Sequence, residues 1–330
     1  MLHAAVFTPA YDPRKMGIFF LKSYYVCSMR VALLKSNAAW DYVFDKIEAA
    51  LEGSGHAVAN ARLKQWKRFA DHDVFVGIGV GKSNTRGVLT RDLMRHCQRH
   101  GKRYLCIEQA VFRNYNRDLH FSLGWWGLSG YSDFRNTGSP ADRFSRLGIE
   151  LRPWRTGKPS DSVLLALQLP WDSAVSHLDY TGEVRGIIDA VLKGTRRLLR
   201  IKTHPLYRAR RDGRSPAVKR DIVKPFEAML NAYRGRAGVE FVETGDLAAL
   251  LEDTWCLVAV NSNAATDAVI SGVPAVVTDR GAFAWGVSGH DASEVDTPPT
   301  PDRTQWAHDA AYSQWKIDEV GAAMRRLGLR

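Results

Sequence analysis

Two short segments in the second half of the chain carry side chains suited to holding an anion. In Asn261–Thr278 (NSNAATDAVISGVPAVVT) an apolar strand ends in Asn-Ser-Asn, and a helix of small residues opens at once with Ala264-Ala265. Small side chains there let backbone amides and the positive helix end approach an anion closely. Ser262 and Asn263 add hydroxyl and amide donors, and Asp267, one turn into the helix, is placed to accept from a sugar hydroxyl. Ordinary N-capping by Ser262 or Asn263, with Asp267 favouring the helix dipole, accounts for the same residues. The second segment is Lys202-Thr203-His204-Pro205, where a buried strand runs out into a loop. The residue before a proline is pushed away from helical geometry, so the His204 imidazole is held in an extended segment at a strand end. It can donate to a phosphate there, with Lys202 adding charge; a purely structural histidine is the competing reading.

Candidates for proton transfer lie in the middle of the chain. Glu108 follows an apolar strand and faces the expected cleft, where a carboxylate can take the proton of an acceptor hydroxyl. Asp133, in a polar loop beside Arg135 and Asn136, competes with it. A helix cap or buried ion pair is the structural alternative for Glu108, and a salt bridge to Arg135 is that for Asp133. Trp125 and Trp126 offer surfaces for stacking on a flipped base or a sugar ring. Core packing is the commoner fate of tryptophan, and neighbours in an extended chain point to opposite sides. Leu206–Arg220 concentrates Arg208, Arg210, Arg211, Arg214, Lys219 and Arg220 against Asp212 alone, directly after His204-Pro205. An arginine-rich run without interleaved aromatics reads as phosphate contact rather than base readout, or as a solvated charge run.

The whole chain shares this bias. Its 330 residues hold 46 Lys and Arg against 35 Asp and Glu, a net charge of +11, which suggests an acidic partner such as nucleic acid, anionic lipid or nucleotide. Hydrophobic and charged fractions of 45% and 25% are those of a folded globular chain and exclude a mostly disordered one. Cys27, Cys97, Cys106 and Cys256 are far apart with no CxxC pair, which argues against a cysteine zinc site and a disulfide framework. His96 and His100 are four residues apart without a third ligand nearby, so no metal is expected. Gly77–Ser83 (GIGVGKS) ends like a phosphate-binding loop, but the motif's first glycine would fall at Val76, which argues against a P-loop kinase. The apolar stretch Gly17–Leu34 is interrupted by Lys22 and Arg30, so a soluble, cytoplasmic protein is expected.

Strands alternating with helices must position these residues. Strands are expected at Arg30–Lys35, Asp73–Ile78 and Tyr104–Ile107, with helices at Asn37–Leu51 and Arg91–His100; residues 1–28 read as an extension. A second series runs Val163–Leu169, Leu198–Lys202, Val239–Val242, Cys256–Val260 and Pro274–Thr278. Its helices fall at Gly182–Leu192, Asp221–Tyr233, Asp246–Leu251 and Ala264–Ser271. Residues 109–160 break the rhythm and read as a loop-rich stretch with a binding role, and Gly157–Asp161 as a linker. The expectation is an α/β protein of two doubly wound Rossmann-like domains with a cleft between them: 1–160, 161–302, then a helical segment at 303–330.

Taken together, the Lys202-x-His204-Pro205 segment and the run Ser262…Gly272-x-Pro274-x-x-Val277 resemble the C-terminal domain of GT-B glycosyltransferases, especially those related to bacterial capsule-polysaccharide and Kdo transferases. The resemblance implies a GT-B-like fold. It also implies that His204, Ser262 and the amides around Asn263 hold the diphosphate of a nucleotide sugar, expected as a UDP-sugar. Asp267 stands where many relatives carry glutamate. A second resemblance, to phage-encoded members of the group, rests on Glu108, Trp125–Gly130, Asp133–Asn136, Trp154-Arg155 and Gln168–Asp172. It adds Gln168 to the donor site and implies transfer to a 5-hydroxymethylpyrimidine of double-stranded DNA, in an infected bacterium's cytoplasm. Trp125, Trp126, Arg135 and the arginines of 208–214 would then contact DNA. A capsule or surface-polysaccharide acceptor, and a non-catalytic DNA-binding protein on the same scaffold, are the alternatives.

Overall fold

The computed structural model describes residues 28–80, 85–112, 120–155, 162–209 and 220–330. The expected extension and linker, and the segment holding Arg210, Arg211 and Arg214, lie outside or almost wholly outside those residues.

The first half opens with β1 (Arg30–Lys35), α1 (Asp41–Glu52), β2 (Ala57–Arg62), β3 (Val74–Ile78), α2 (Thr85–Arg99) and β4 (Arg103–Gln109). It continues with β5 (His120–Trp125) and α3 (Asp142–Leu147). Val43, Phe44, Ile47 and Leu51 recur at helical spacing on α1 and are buried against the sheet. Strands β2, β1, β3 and β4 are parallel neighbours in that order, and β5 adds antiparallel to β4. Strands of such a sheet are buried on both faces. Val31, Leu33, Val74 and Val76 accordingly join one apolar cluster, while Ala32, Leu34 and Phe75 join another.

The second half runs β6 (Ser162–Ala166), α4 (Tyr180–Gly194), β7 (Leu198–Lys202), α5 (Pro205–Ala209) and α6 (Arg220–Asn231). Then follow β8 (Val239–Val242), α7 (Leu247–Glu252), β9 (Cys256–Ala259), α8 (Ala264–Ile270) and β10 (Ala275–Val277). All five strands are parallel, in the order β10-β9-β6-β7-β8. The chain leaves β6 through β7 to β8, then returns to the other side of β6 through β9 and β10. This reversal opens a crevice beyond the carboxyl ends of β6 and β9, the place where open α/β sheets bind ligands.

The last segment is α9 (Thr304–Ala311), β11 (Gln314–Lys316) and α10 (Val320–Arg326). Expected as helical, it contributes a strand to the first sheet: β11 pairs antiparallel with β5 and covers that edge. Residues 109–160 also hold more regular structure than a loop. The alternation Phe121, Leu123, Trp125 places three side chains on one face of β5 in the core.

Candidate functional site

Register alone assembles the crevice of the second sheet. Leu165 lies opposite Val258, and Val277 opposite Ala259. Counting on along each strand brings Gln168, Asn261 and Asp279 level at the carboxyl edge. Their side chains meet there. Gln168 Nε2 donates to Asn261 Oδ1 at 2.8 Å, and the Asn261 amide donates back to Gln168 Oε1 at 3.2 Å. Asn261 Nδ2 donates to the Ala174 carbonyl at 2.8 Å and to Asp279 Oδ2 at 3.2 Å.

Asp279 is 3% exposed at its side chain and receives further donors. His177 Nε2 lies 2.6 Å from Oδ2; the Tyr131 hydroxyl and the Gly281 amide each donate to Oδ1 at 2.6 Å. Burial pushes its carboxyl pKa up, but the hydrogen bonds from His177, Tyr131 and Gly281 outweigh this, and the pKa falls below its ordinary value. His177 comes from the loop after β6, whose short turn at Ser173–Val175 is capped by Asp172. Asn261, by binding the Ala174 carbonyl, ties that loop to the sheet edge.

Tyr131 reaches Asp279 from the first half of the chain. It ends a short turn, Ser129–Tyr131, whose first amide donates to Glu108 Oε1 at 2.6 Å. Two glycines permit the approach: the Gly130 amide donates to the Gly281 carbonyl at 2.8 Å. A Cβ on Gly130 would meet backbone oxygens at 2.7 and 2.8 Å, and one on Gly281 would meet the Tyr131 ring at 2.5 Å. Asn263 makes a second link between the halves, donating through Nδ2 to the Val111 carbonyl at 3.0 Å.

The expected site residues fall into distinct places. Lys202 is buried at the end of β7, where burial lowers its pKa while Asp246 opposes the shift. Because Ala166 is opposite Lys202, Gln168 and His204 each lie two residues beyond that pair on adjacent strands. His204 Nδ1 accepts from the Leu206 amide at 3.1 Å, opening α5. Ser262 Oγ accepts from the Ala264 amide at 3.2 Å, and Asp267 is half-buried in the first turn of α8. Thus Lys202, His204, Gln168, Ser262 and Asn263 all gather at one sheet edge.

The remaining candidates lie in the first half of the chain, and burial rules out one of them. Trp125 is 2% exposed, with its indole N–H donating to the Leu327 carbonyl, so it cannot stack on a base or sugar. Trp126 is half-buried at a left-handed φ of 69° and packs against apolar clusters of the first sheet. Glu108 is committed to the turn that carries Tyr131. Asp133 is exposed, accepts from the Arg135 amide at 3.0 Å, and pairs with Trp125. Since Trp125 is opposite Leu105, three residues before Glu108 on β4, Asp133 lies about 10 Å along the strand from Glu108. The guanidinium of Arg135 lies against Gly328, just past the end of α10, where the helix dipole favours a cation. In the glycine loop, the Tyr104 hydroxyl occupies the space a Gly77 side chain would need and donates to the Gly79 carbonyl at 2.7 Å.

His177, Asp279 and Tyr131 escaped sequence reading because no local pattern marks them, and Asn261 was read only as the first residue of the Asn-Ser-Asn strand end. The one usable signal is the short distance of Asp279 beyond β10, at the same sheet edge as Asn261.

Among the described residues no group of His, Cys, Asp and Glu is arranged to hold a metal ion, and no helix is long and apolar enough to cross a membrane. No protein-family model and no curated protein sequence matches the chain. Among solved structures, the β-Kdo 2,4 transferase of Thermosulfurimonas dismutans KpsC superposes with a TM-score of 0.55 at 15% identity, over 92% of this chain and 99% of that one. The β-Kdo 2,7 transferase of the same KpsC superposes with a TM-score of 0.53 at 13% identity, over 91% and 99%. The chain therefore has the two-sheet, GT-B-like fold of these modules along nearly all of its length.

Proposed function

We propose that the protein transfers a sugar from a nucleotide sugar to a hydroxyl acceptor. The observation that carries this reading is the convergence of Lys202, His204, Ser262 and Asn263 on the carboxyl edge of the second sheet, inside a fold shared end to end with two transferase modules. A ligand seated at this edge would meet the Lys202 ammonium, the His204 ring, the Ser262 hydroxyl and the Asn263 amide; the Ala264 and Ala265 amides are bonded to Ser262. Preorganised donors of this kind stabilise the negative charge that develops on a departing nucleotide phosphate. Asp267, one turn along α8, is assigned to the ribose, and the donor is assigned as a UDP-sugar.

For the acceptor we propose a 5-hydroxymethylpyrimidine in double-stranded phage DNA. The net charge of +11 and the basic run after α5 support it, because duplex binding is dominated by phosphate neutralisation. Arg208, Arg210, Arg211 and Arg214 would supply that contact, and a base reached from duplex would have to be flipped outward. The fold shared with two Kdo transferases favours a surface saccharide as the second reading.

The test is incubation with duplex containing 5-hydroxymethylcytosine or 5-hydroxymethyluracil and a panel of UDP- and CMP-sugars, read by nucleoside mass spectrometry. The expected result is a sugar-sized mass gain that is lost in His204→Ala. Donor consumption stimulated by oligosaccharide but not by duplex would move the acceptor to the saccharide. No consumption of any nucleotide sugar would overturn the transfer reading.

A further inference from the structure

We propose that His177, oriented by Asp279 and Tyr131 from opposite sides of the cleft, is the base that takes the proton of the acceptor hydroxyl. The assignment rests on the reading of the protein as a glycosyltransferase and names a residue for the step that reading leaves without one.

Hydrogen-bond bookkeeping around Asp279 carries the argument. An ionised carboxylate has about four lone-pair positions, and here each oxygen receives two contacts. Oδ1 accepts from Tyr131 and the Gly281 amide; Oδ2 accepts from Asn261 and faces His177 Nε2. A carboxylate so placed only accepts, so Nε2 of His177 must be the donor. In the neutral ring this leaves Nδ1 with the free electron pair. Asp279 is buried at 3% while His177 remains 39% exposed, so the pair presents an imidazole backed by a shielded carboxylate. A base fixed by a carboxylate in this way keeps one tautomer and gains a counter-charge when it becomes an imidazolium.

The other two carboxylates each hold a turn of the backbone. Glu108 binds the amide of Ser129, and Asp133 binds the amide of Arg135. Tyr131 is held protonated by burial and by its bond to Asp279, both of which raise its pKa. It serves as a donor to the carboxylate and an edge-on neighbour of the imidazole, with ring centroids 5.3 Å apart. Because it arrives from the first half of the chain, the base is fully oriented only when the Ser129–Tyr131 turn is docked on Gly281.

In the step itself, the acceptor O–H gives its proton to Nδ1 of His177 while the acceptor oxygen forms its bond to the anomeric carbon. The bond from the carbon bearing the departing group breaks, and its electron pair leaves with that group. For direct displacement this is the nucleotide phosphate beside Lys202 and His204. The imidazolium then returns its proton to water. His177 is thus a catalytic residue, and Asp279 and Tyr131 are positioning residues.

Two measurements on the full chain test this. Turnover of the UDP- and CMP-sugar panel with hydroxymethylated duplex or oligosaccharide should fall about 10²-fold or more in His177→Ala. UDP affinity should be unchanged, and added imidazole should restore part of the rate. Asp279→Asn and Tyr131→Phe should lower kcat more than they raise KM. Independently, long-range nitrogen–proton NMR of histidine-labelled protein, assigned by difference with His177→Gln, should show the proton of the neutral His177 ring on Nε2. An active His177→Ala variant overturns the assignment, as does a His177 ring protonated on Nδ1. A wild-type protein that consumes no nucleotide sugar overturns the transfer reading, and the catalytic role with it, whatever the NMR shows of the hydrogen-bonded pair.

Discussion

Each oxygen of the Asp279 carboxylate sits among two hydrogen-bonding groups, and this makes a single side chain answerable for how the cleft responds to acid. Its folded pKa lies below the ordinary value. A depressed carboxylate contributes stability that is fully present above its unfolded pKa and is lost as pH falls through the folded one. Thermal unfolding followed against pH should therefore show wild-type stability declining as the pH drops below about 4. Asp279→Asn should be less stable at neutral pH but decline less steeply with acid. Equal slopes for the two proteins would remove Asp279 from this role. The neighbouring Asn261 binds Gln168 and, through the Ala174 carbonyl, the His177 loop. Asn261→Ala strips partners from buried polar groups and is expected to cost about 1–3 kcal/mol in denaturant unfolding.

At the scale of elements, the Ser129–Tyr131 turn connects Glu108 on β4 to Asp279 beyond β10. The contact separates two roles for Glu108. A carboxamide still accepts from the Ser129 amide, so Glu108→Gln should keep the turn docked and turnover within about tenfold of wild type. A general base would lose about 10²–10⁴-fold on the same change. Glu108→Ala, which removes the acceptor altogether, should resemble Tyr131→Phe in lowering kcat. Steady-state kinetics of these three variants distinguish the readings.

For the whole molecule, the returning C-terminal segment holds the first sheet together. Arg143 on α3, 8% exposed, makes paired bonds of 3.0 and 2.8 Å to Glu319 and also donates to the Gln314 carbonyl at 2.8 Å. Its guanidinium lies 4.1 Å from the centre of the Trp315 ring. Removing Arg143 leaves the buried carbonyls of Ala311 and Gln314 without their donor and the partly exposed Glu319 without its partner. Arg143→Ala should therefore destabilise the protein by about 1–3 kcal/mol in denaturant unfolding. Arg143→Lys should recover only part, because a lysine cannot form the paired geometry.

Local pattern sufficed for the elements whose burial is written in their own residues. Strands β1, β3, β6 and β9 with their apolar runs, the helix α1 with its stripe, and α7 with its Asp246 cap were legible because run, period and cap act over a few residues. The placement of Lys202, His204 and Ser262, proposed to hold the anion, was legible for the same reason, each standing at or just past the end of a readable strand. Strand β2 was not, since AVANAR is an edge strand with no buried residue. Nor was β11, three residues long and made a strand only by β5 beside it. The His177–Asp279–Tyr131 cluster belongs to this second kind. Its members are 102 and 148 residues from Asp279 in the chain. Strand order, register and the docking of two halves bring them together, and those are settled by burial summed over the whole molecule.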